Sequence, residues 1–195
     1  MKSKKASAGF RRRMIDPQHG FSLIEAFIAI AVASILAGMA IPMFSTAMDQ
    51  SNADSAAQLI AQELNLARAL AVATHGDILV QFESANSVVV AAGTGSARGP
   101  FLFPGKMTLL DSNPAVRDTP DALGNTVLGP GVNNEVTFTD NGAAATDATG
   151  ATLCSGTFFI RNVDGDPATL RAVTLLGGTG RVHIWRYNPN SNSWN

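Results

Sequence analysis

Cysteine occurs once in the 195 residues, as Cys154, so no intrachain disulfide can staple the chain. A lone cysteine of this kind reads as a small buried hydrophobe. Histidine occurs three times, at His19, His75 and His183, with no metal-ligand spacing and no cysteine pair to complete a set. We therefore assign no metal and no cofactor. There is no Gly-x-Ser-x-Gly elbow and no phosphate-binding loop sequence. The Gly-rich Leu176-Gly177-Gly178-Thr179-Gly180 lies between two predicted strands, which makes it a hairpin turn rather than a phosphate cradle. These gaps argue against an enzyme. Charge is also scarce, at 15% of residues. From Phe21 to Phe44 there are 24 residues, and Glu25 alone is charged.

That run is the main positive feature. As a helix it would extend about 36 Å, at about 1.5 Å per residue, against a hydrocarbon core of about 30 Å. Its length suffices for one membrane span. Glu25 then needs a reason, because an acid at mid-depth costs roughly 2.5–3.5 kcal/mol on insertion scales. Lys2, Lys4, Lys5, Arg11, Arg12 and Arg13 precede the run against a single Asp16. The excess of positive charge predicts a cytoplasmic N-terminus and places everything after Phe44 across the membrane. A secretory signal peptide also has a basic start, but its apolar segment is shorter, carries no such acid, and is followed by its cleavage site. A plain membrane anchor is not excluded by periodicity.

Gly20-Phe21-Ser22-Leu23-Ile24-Glu25 resembles the type III leader junction of type IV pilins and pseudopilins. The resemblance implies that a prepilin peptidase cuts between Gly20 and Phe21, that Phe21 is then N-methylated, and that Glu25 is kept for filament assembly. The physics agrees. A free α-amine is mostly cationic at neutral pH. An amine and a carboxylate in lipid each carry a desolvation cost that pairing offsets. The Phe21 amine of one subunit and Glu25 of another would neutralise each other. Removing residues 1–20 leaves 8 Lys/Arg against 14 Asp/Glu, a net charge near −6 that weighs against a generic nucleic-acid binder. Many type IV pilins carry a C-terminal disulfide, and this chain departs from that pattern.

Gly38 and Pro42 interrupt the run, and Pro42 predicts a kink or local unwinding near residues 38–42. Beyond Phe44 the helix is expected to continue as an amphipathic one. Ala56, Leu59, Ile60, Leu64, Ala67, Leu70, Ala71 and Thr74 form one stripe, and Asp54, Gln58, Gln62, Asn65 and Arg68 the opposite face. His75-Gly76-Asp77 ends it, with Gly76 suited to a left-handed cap and His75 a capping residue. Strands follow over 78–82, 87–92, 101–103, 107–110, 135–139, 157–162, 169–176 and 181–187. The Pro-rich stretch 93–134 reads as a long irregular region, a class that is either functional or mobile. The tail after residue 187 is polar and expected to fray apart from Trp194.

One long helix followed only by strands predicts an α+β fold, the helix packed on antiparallel sheet in a pilin-like arrangement. The helical stretch Gln62 to Ala71, then Gly76 and Ile78-Leu79-Val80, resembles the GspH/FimT subgroup of minor pseudopilins and minor pilins, as does the Gly180-Arg181-Val182 entry to the last strand. The expected layout is a basic leader over 1–20, a transmembrane and assembly helix over 21–44, its amphipathic continuation over 45–75, and a periplasmic β-rich domain over 76–195. The resemblance implies a non-enzymatic subunit of the periplasmic pseudopilus of type II secretion, held in the bacterial inner membrane. Its partners would be other pseudopilins or pilins and the prepilin peptidase/methylase. The alternatives are a minor type IV pilin that primes a pilus or binds DNA, and a membrane-anchored periplasmic binding domain.

Three smaller features bear on ligands and charge. Arg181, His183, Trp185, Arg186 and Tyr187 mix cations with aromatics, the ingredients of phosphate contact and base stacking. Arg181 and Arg186 are the candidate DNA contacts, against the plainer reading of an edge strand with solvated arginines and a core Trp. Asp164-Gly165-Asp166 has two acids but lacks the further ligands of an EF-hand, so a β-turn is favoured over calcium. Arg68 is expected in a structural ion pair.

Overall fold

The computed structural model describes residues 22–92, 97–114, 117–131, 134–146 and 152–195. Two compact units divide the chain, Met1–Pro42 and Met43–Asn195. The apolar and amphipathic runs belong to one helical span, α1 (Leu23–Thr74). In the first unit its side chains are bare. Leu23, Phe27, Ile30, Ile35 and Met39 are each more than half exposed, as expected of a surface meant for lipid or for other helices. By length and composition alone, α1 is long and apolar enough to cross a membrane.

In the second unit α1 has the opposite character. Ala53, Ala56, Ala57, Ile60, Leu64, Ala67 and Ala71 are fully buried, at the three- and four-residue spacing of one helix face. Small alanines let the backbone lie close to the sheets. The helix ends in a Schellman arrangement: Gly76 N–H donates to the Ala71 carbonyl (3.2 Å). His75, not Gly76, takes the left-handed conformation (φ 50), which corrects the expected cap.

Among the described residues ten strands follow: β1 (Ile78–Ser84), β2 (Ser87–Ala92), β3 (Arg98–Leu102), β4 (Met107–Leu110), β5 (Glu135–Phe138), β6 (Ala144–Ala145), β7 (Gly156–Asn162), β8 (Arg171–Leu176), β9 (Arg181–Asn188) and β10 (Ser193–Trp194). They form two five-stranded sheets, in the orders β3-β2-β1-β5-β6 and β10-β9-β8-β7-β4. Every strand pairing within them is antiparallel. The fold is α+β, a long helix and then antiparallel sheets. Ile78, Val80 and Phe82 of β1, Val136 and Phe138 of β5, and Phe158, Ile160, Val173 and Leu175 of β7 and β8 share one core with α1. The sheets meet at both ends. Leu109 N–H donates to the Ala85 carbonyl (2.6 Å), and Ala144 N–H to the Gly177 carbonyl (2.8 Å).

The Pro-rich stretch is a cover rather than a free loop where it is described. Asp121 and Val127 lie on the face of the second sheet that points away from α1, whereas Leu128 joins the core shared with α1. Thr157 N–H donates to the Thr126 carbonyl (2.8 Å) and Leu128 N–H to the Thr157 carbonyl (2.9 Å). Beneath it Phe159, Leu170, Ala172, Tyr187 and Trp194 make a second small core. The tail does not fray. β10 pairs with β9, and Trp194 is buried with its indole N–H on the Arg117 carbonyl (2.5 Å). The indole supplies an apolar body and a donor to a backbone that offers an acceptor, which explains why this polar end is held.

Candidate functional site

Gly20 and Phe21, the expected processing and methylation residues, lie outside the described residues. Glu25 lies within them. It is exposed, in the first turn of α1. The Ser22 carbonyl accepts from Glu25 N–H (3.0 Å) and Ala26 N–H (3.1 Å), so Ser22 is the residue that opens the helix. Ser22-Leu23-Ile24-Glu25 thus has the spacing of a capping box, with the acid at the third helical position. A negative charge there complements the helix dipole by about 0.3–1 kcal/mol. The Ser-x-x-Glu spacing was legible in the sequence and is a second physical reason for the acid. The span of α1 runs through Gly38 and Pro42.

The strongest electrostatic feature of the second unit is one the sequence reading missed. Arg171 on β8 is 1% exposed, yet charged. Its Nε donates to Asp54 Oδ1 (2.5 Å), and its other nitrogens to the carbonyls of Ala168 (3.0 Å), Leu170 (2.9 Å) and Gln50 (3.5 Å). Asp54 Oδ2 takes a second arginine, Arg186 on β9. β8 and β9 are in register there, Arg171 opposite Arg186, so both guanidinia reach the same carboxylate. Asp54 is therefore no part of a solvated helix face. Arg68 also turns inward, and its Nε donates to the Gly142 carbonyl (3.3 Å) rather than to an acid.

This arrangement separates the two candidate DNA contacts. Arg186 is committed to Asp54. Arg181 is exposed on the opposite face of β9, beside His183 and Trp185. Trp185 is half-buried, with its indole N–H shared between Asp121 Oδ2 (3.2 Å) and Thr174 Oγ1 (3.1 Å). The two arginines do not form one cationic surface. Tyr187 belongs to the small core.

The remaining candidates are structural. Gly165 N–H donates to the Asn162 carbonyl (2.9 Å) at φ +82, closing a turn. Asp166 caps the 3₁₀ turn Pro167–Thr169 through Ala168 N–H (2.9 Å). Asp164 faces Lys106 at 3.7 Å. Among the described residues no group of three or more His, Cys, Asp or Glu side chains could hold a metal ion. Cys154 is buried, and burial pushes its thiol up to about 11.

Residues 16–41 match the model of the prokaryotic N-terminal methylation motif. The chain carries that motif. It includes Gly20, Phe21 and Glu25 and runs into the bare part of α1. Two crystal forms of the type IV minor pilin FimU of Pseudomonas aeruginosa (strain PAO1) are similar to this chain. One is 20% identical, covering 71% of this chain and 94% of FimU, with a TM-score of 0.43. The other is 19% identical, covering 77% and 95%, also at 0.43. No curated protein sequence matches the chain.

Proposed function

We propose that the chain is a minor pseudopilin, a non-enzymatic structural subunit of the periplasmic pseudopilus of a type II secretion system. The observation that carries this reading is the methylation motif over residues 16–41, continued by a bare apolar helix with one acid in its first turn. In this reading residues 1–20 are removed on the cytoplasmic side and Phe21 is methylated. The apolar part of α1 is stored as a single inner-membrane span. It then packs among other pseudopilins, with Glu25 paired to a neighbour's Phe21 amine. Two unpaired charges in lipid are each costly, and pairing them rewards a subunit only when it has docked. Pro42 gives the helix a place to loosen as it leaves the bilayer.

The lone Cys154 leans the reading towards secretion rather than a pilus. The pilus alternative with DNA capture loses one of its two arginines to Asp54. The test is the intact mass of the protein purified from membranes of a host with a prepilin peptidase. The expected N-terminus is Phe21 carrying one methyl group, and Gly20→Glu is expected to leave the full-length precursor. An uncut wild-type chain would favour a plain anchored binding domain. Coexpression with either secretion or pilus components, followed by isolation of the filament, separates the two remaining readings.

A further inference from the structure

The face of the second sheet turned away from α1 holds a notch that filament packing through the helix does not use. Asp121 and Leu123 of the cover, Thr174 and Leu176 of β8, and Arg181 and His183 of β9 enclose about 110 Å³. That is space for several waters, or for a carboxylate on a short aliphatic stem. Arg181 is exposed at this notch, and among the described residues no carboxylate lies within salt-bridge distance of it. His183 packs edge-on to Trp185, with centroids 4.2 Å apart and planes at 76°, which fixes the imidazole plane. Its Nδ1 is shielded from water and has no hydrogen-bond partner. Asp121 Oδ2 is already occupied by Thr174 Oγ1 (2.5 Å) and Trp185 Nε1.

We infer that this notch binds a single carboxylate group, with Arg181 as its cation, His183 as a second donor through Nε2 rather than the shielded Nδ1, and Leu123 and Leu176 against its aliphatic stem. Arg offers a planar fork matched to two carboxylate oxygens. Asp121 in the same wall sets the choice of anion, because its charge opposes a phosphate dianion more strongly than a monoanion. The carboxylate comes from an acidic side chain of another polypeptide or from a free short-chain acid. The inference stands independently of the filament reading, since it uses only β8, β9 and the cover.

The test uses the full chain in detergent micelles at constant ionic strength. The His183 ring resonances, assigned by their loss in His183→Gln, are followed by NMR during titration with propionate, a blocked Gly-Glu-Gly peptide, or inorganic phosphate. A saturable shift with propionate or the peptide is expected. Arg181→Gln should weaken it about tenfold or more, the loss of one charge-assisted hydrogen-bonded contact. Arg186→Gln, on the other face of β9, should leave it unchanged. Saturation by the peptide alone assigns the carboxylate to a polypeptide side chain, and saturation by propionate to a free acid. No saturation with either, tighter binding of phosphate than of both, or binding that survives Arg181→Gln overturns the inference.

Discussion

Replacing Asp54 by Ala should be among the most damaging single changes in the second unit, although the residue is polar and 30% exposed at its side chain. The cost does not come from losing an attraction between surface charges. It comes from leaving Arg171, 1% exposed, with a buried positive charge and an unmet Nε donor. Removing one partner of a buried pair costs about 3–5 kcal/mol. Water reaching the vacated site through the exposed side of Asp54 offsets part of that, so about 3 kcal/mol is expected. Arg171 keeps its three carbonyl acceptors, Ala168, Leu170 and Gln50, which limits the loss further. Arg186 shares the same carboxylate but has a side chain 57% exposed. Its removal should cost no more than about 1 kcal/mol, the range of surface pairs, and less as salt rises. The assay is urea unfolding of the full chain in detergent, followed by the fluorescence of Trp185 and Trp194. Both indoles sit on the second sheet, the one that holds Arg171. Replacing the pair by apolar groups, Asp54→Ala with Arg171→Met, should be milder than the sum of the single changes, because no charge is then stranded. Equal costs for Asp54→Ala and Arg186→Ala, or a cost below 1 kcal/mol for the former, would refute the reasoning.

Three further outcomes follow from the geometry. Glu25→Ala should leave the intact-mass signature of cleavage and methylation unchanged but lower the amount of chain recovered in isolated filaments; normal recovery would remove the assembly role. Gly180→Ala should destabilise more than Gly165→Ala in the same unfolding assay. Both positions hold positive φ (+60 and +82), a backbone term of roughly 1–2 kcal/mol. Only at Gly180 would the new Cβ also strike the Gly142 carbonyl and the Arg68 side chain, whereas Gly165 has nothing within 4 Å. Similar costs at the two sites would contradict the packing of the two turns on Arg68. Cys154 should resist alkylation at pH 8 until the protein is unfolded. Its thiol is raised from 9.0 to about 11, so the folded state holds the proton longer than the unfolded state. Stability should therefore be insensitive to this group below about pH 9 and fall as pH rises from there towards 11. Rapid labelling of native protein would show that the thiol is not shielded.

The elements legible in the sequence were those with a local cause. The stripe at Ala56, Ile60, Leu64, Ala67 and Ala71 needed only helical spacing, and all five are fully buried. β2 and β4 fall on the residues expected of them, because each is a short β-branched or aliphatic run between turn residues. Asp164-Gly165-Asp166 reads as a turn in both sequence and structure for the same reason. The errors share a different cause. Asp54 looked like a solvated residue because its partners, Arg171 and Arg186, lie 117 and 132 positions away. Helical periodicity assigns a polar residue to the outer face, and only the pairing of β8 with β9 brings two cations against it. His75 was passed over as the left-handed residue because Gly76 beside it has the lower backbone cost. The helix ends one residue earlier than that preference suggests, and the Ala71 bond to Gly76 sets the register.

The cover and the tail carry the same lesson at a larger scale. Proline density beyond β4, with Pro114, Pro120 and Pro130, argues against regular strands there, and among the described residues none lies between β4 and β5. It does not predict freedom, because a chain without its own ladder can still spend its backbone groups on another element. Here Leu123 and Thr126 offer their carbonyls to Thr157, Asp121 takes the hydroxyl of Thr174, and Arg117 offers its carbonyl to Trp194. The strands beneath have apolar residues on both faces: Phe158 and Ile160 towards α1, Phe159 and Ala172 away from it. A strand buried on both faces requires a second layer. With the helix occupying one side, the irregular segment and the C-terminal Trp are what remain to form the other. The sequence of β7, Gly156-Thr157-Phe158-Phe159-Ile160, is a continuous run rather than an alternating one. That run, more than the prolines, was the signal that the long segment had to fold back as a layer.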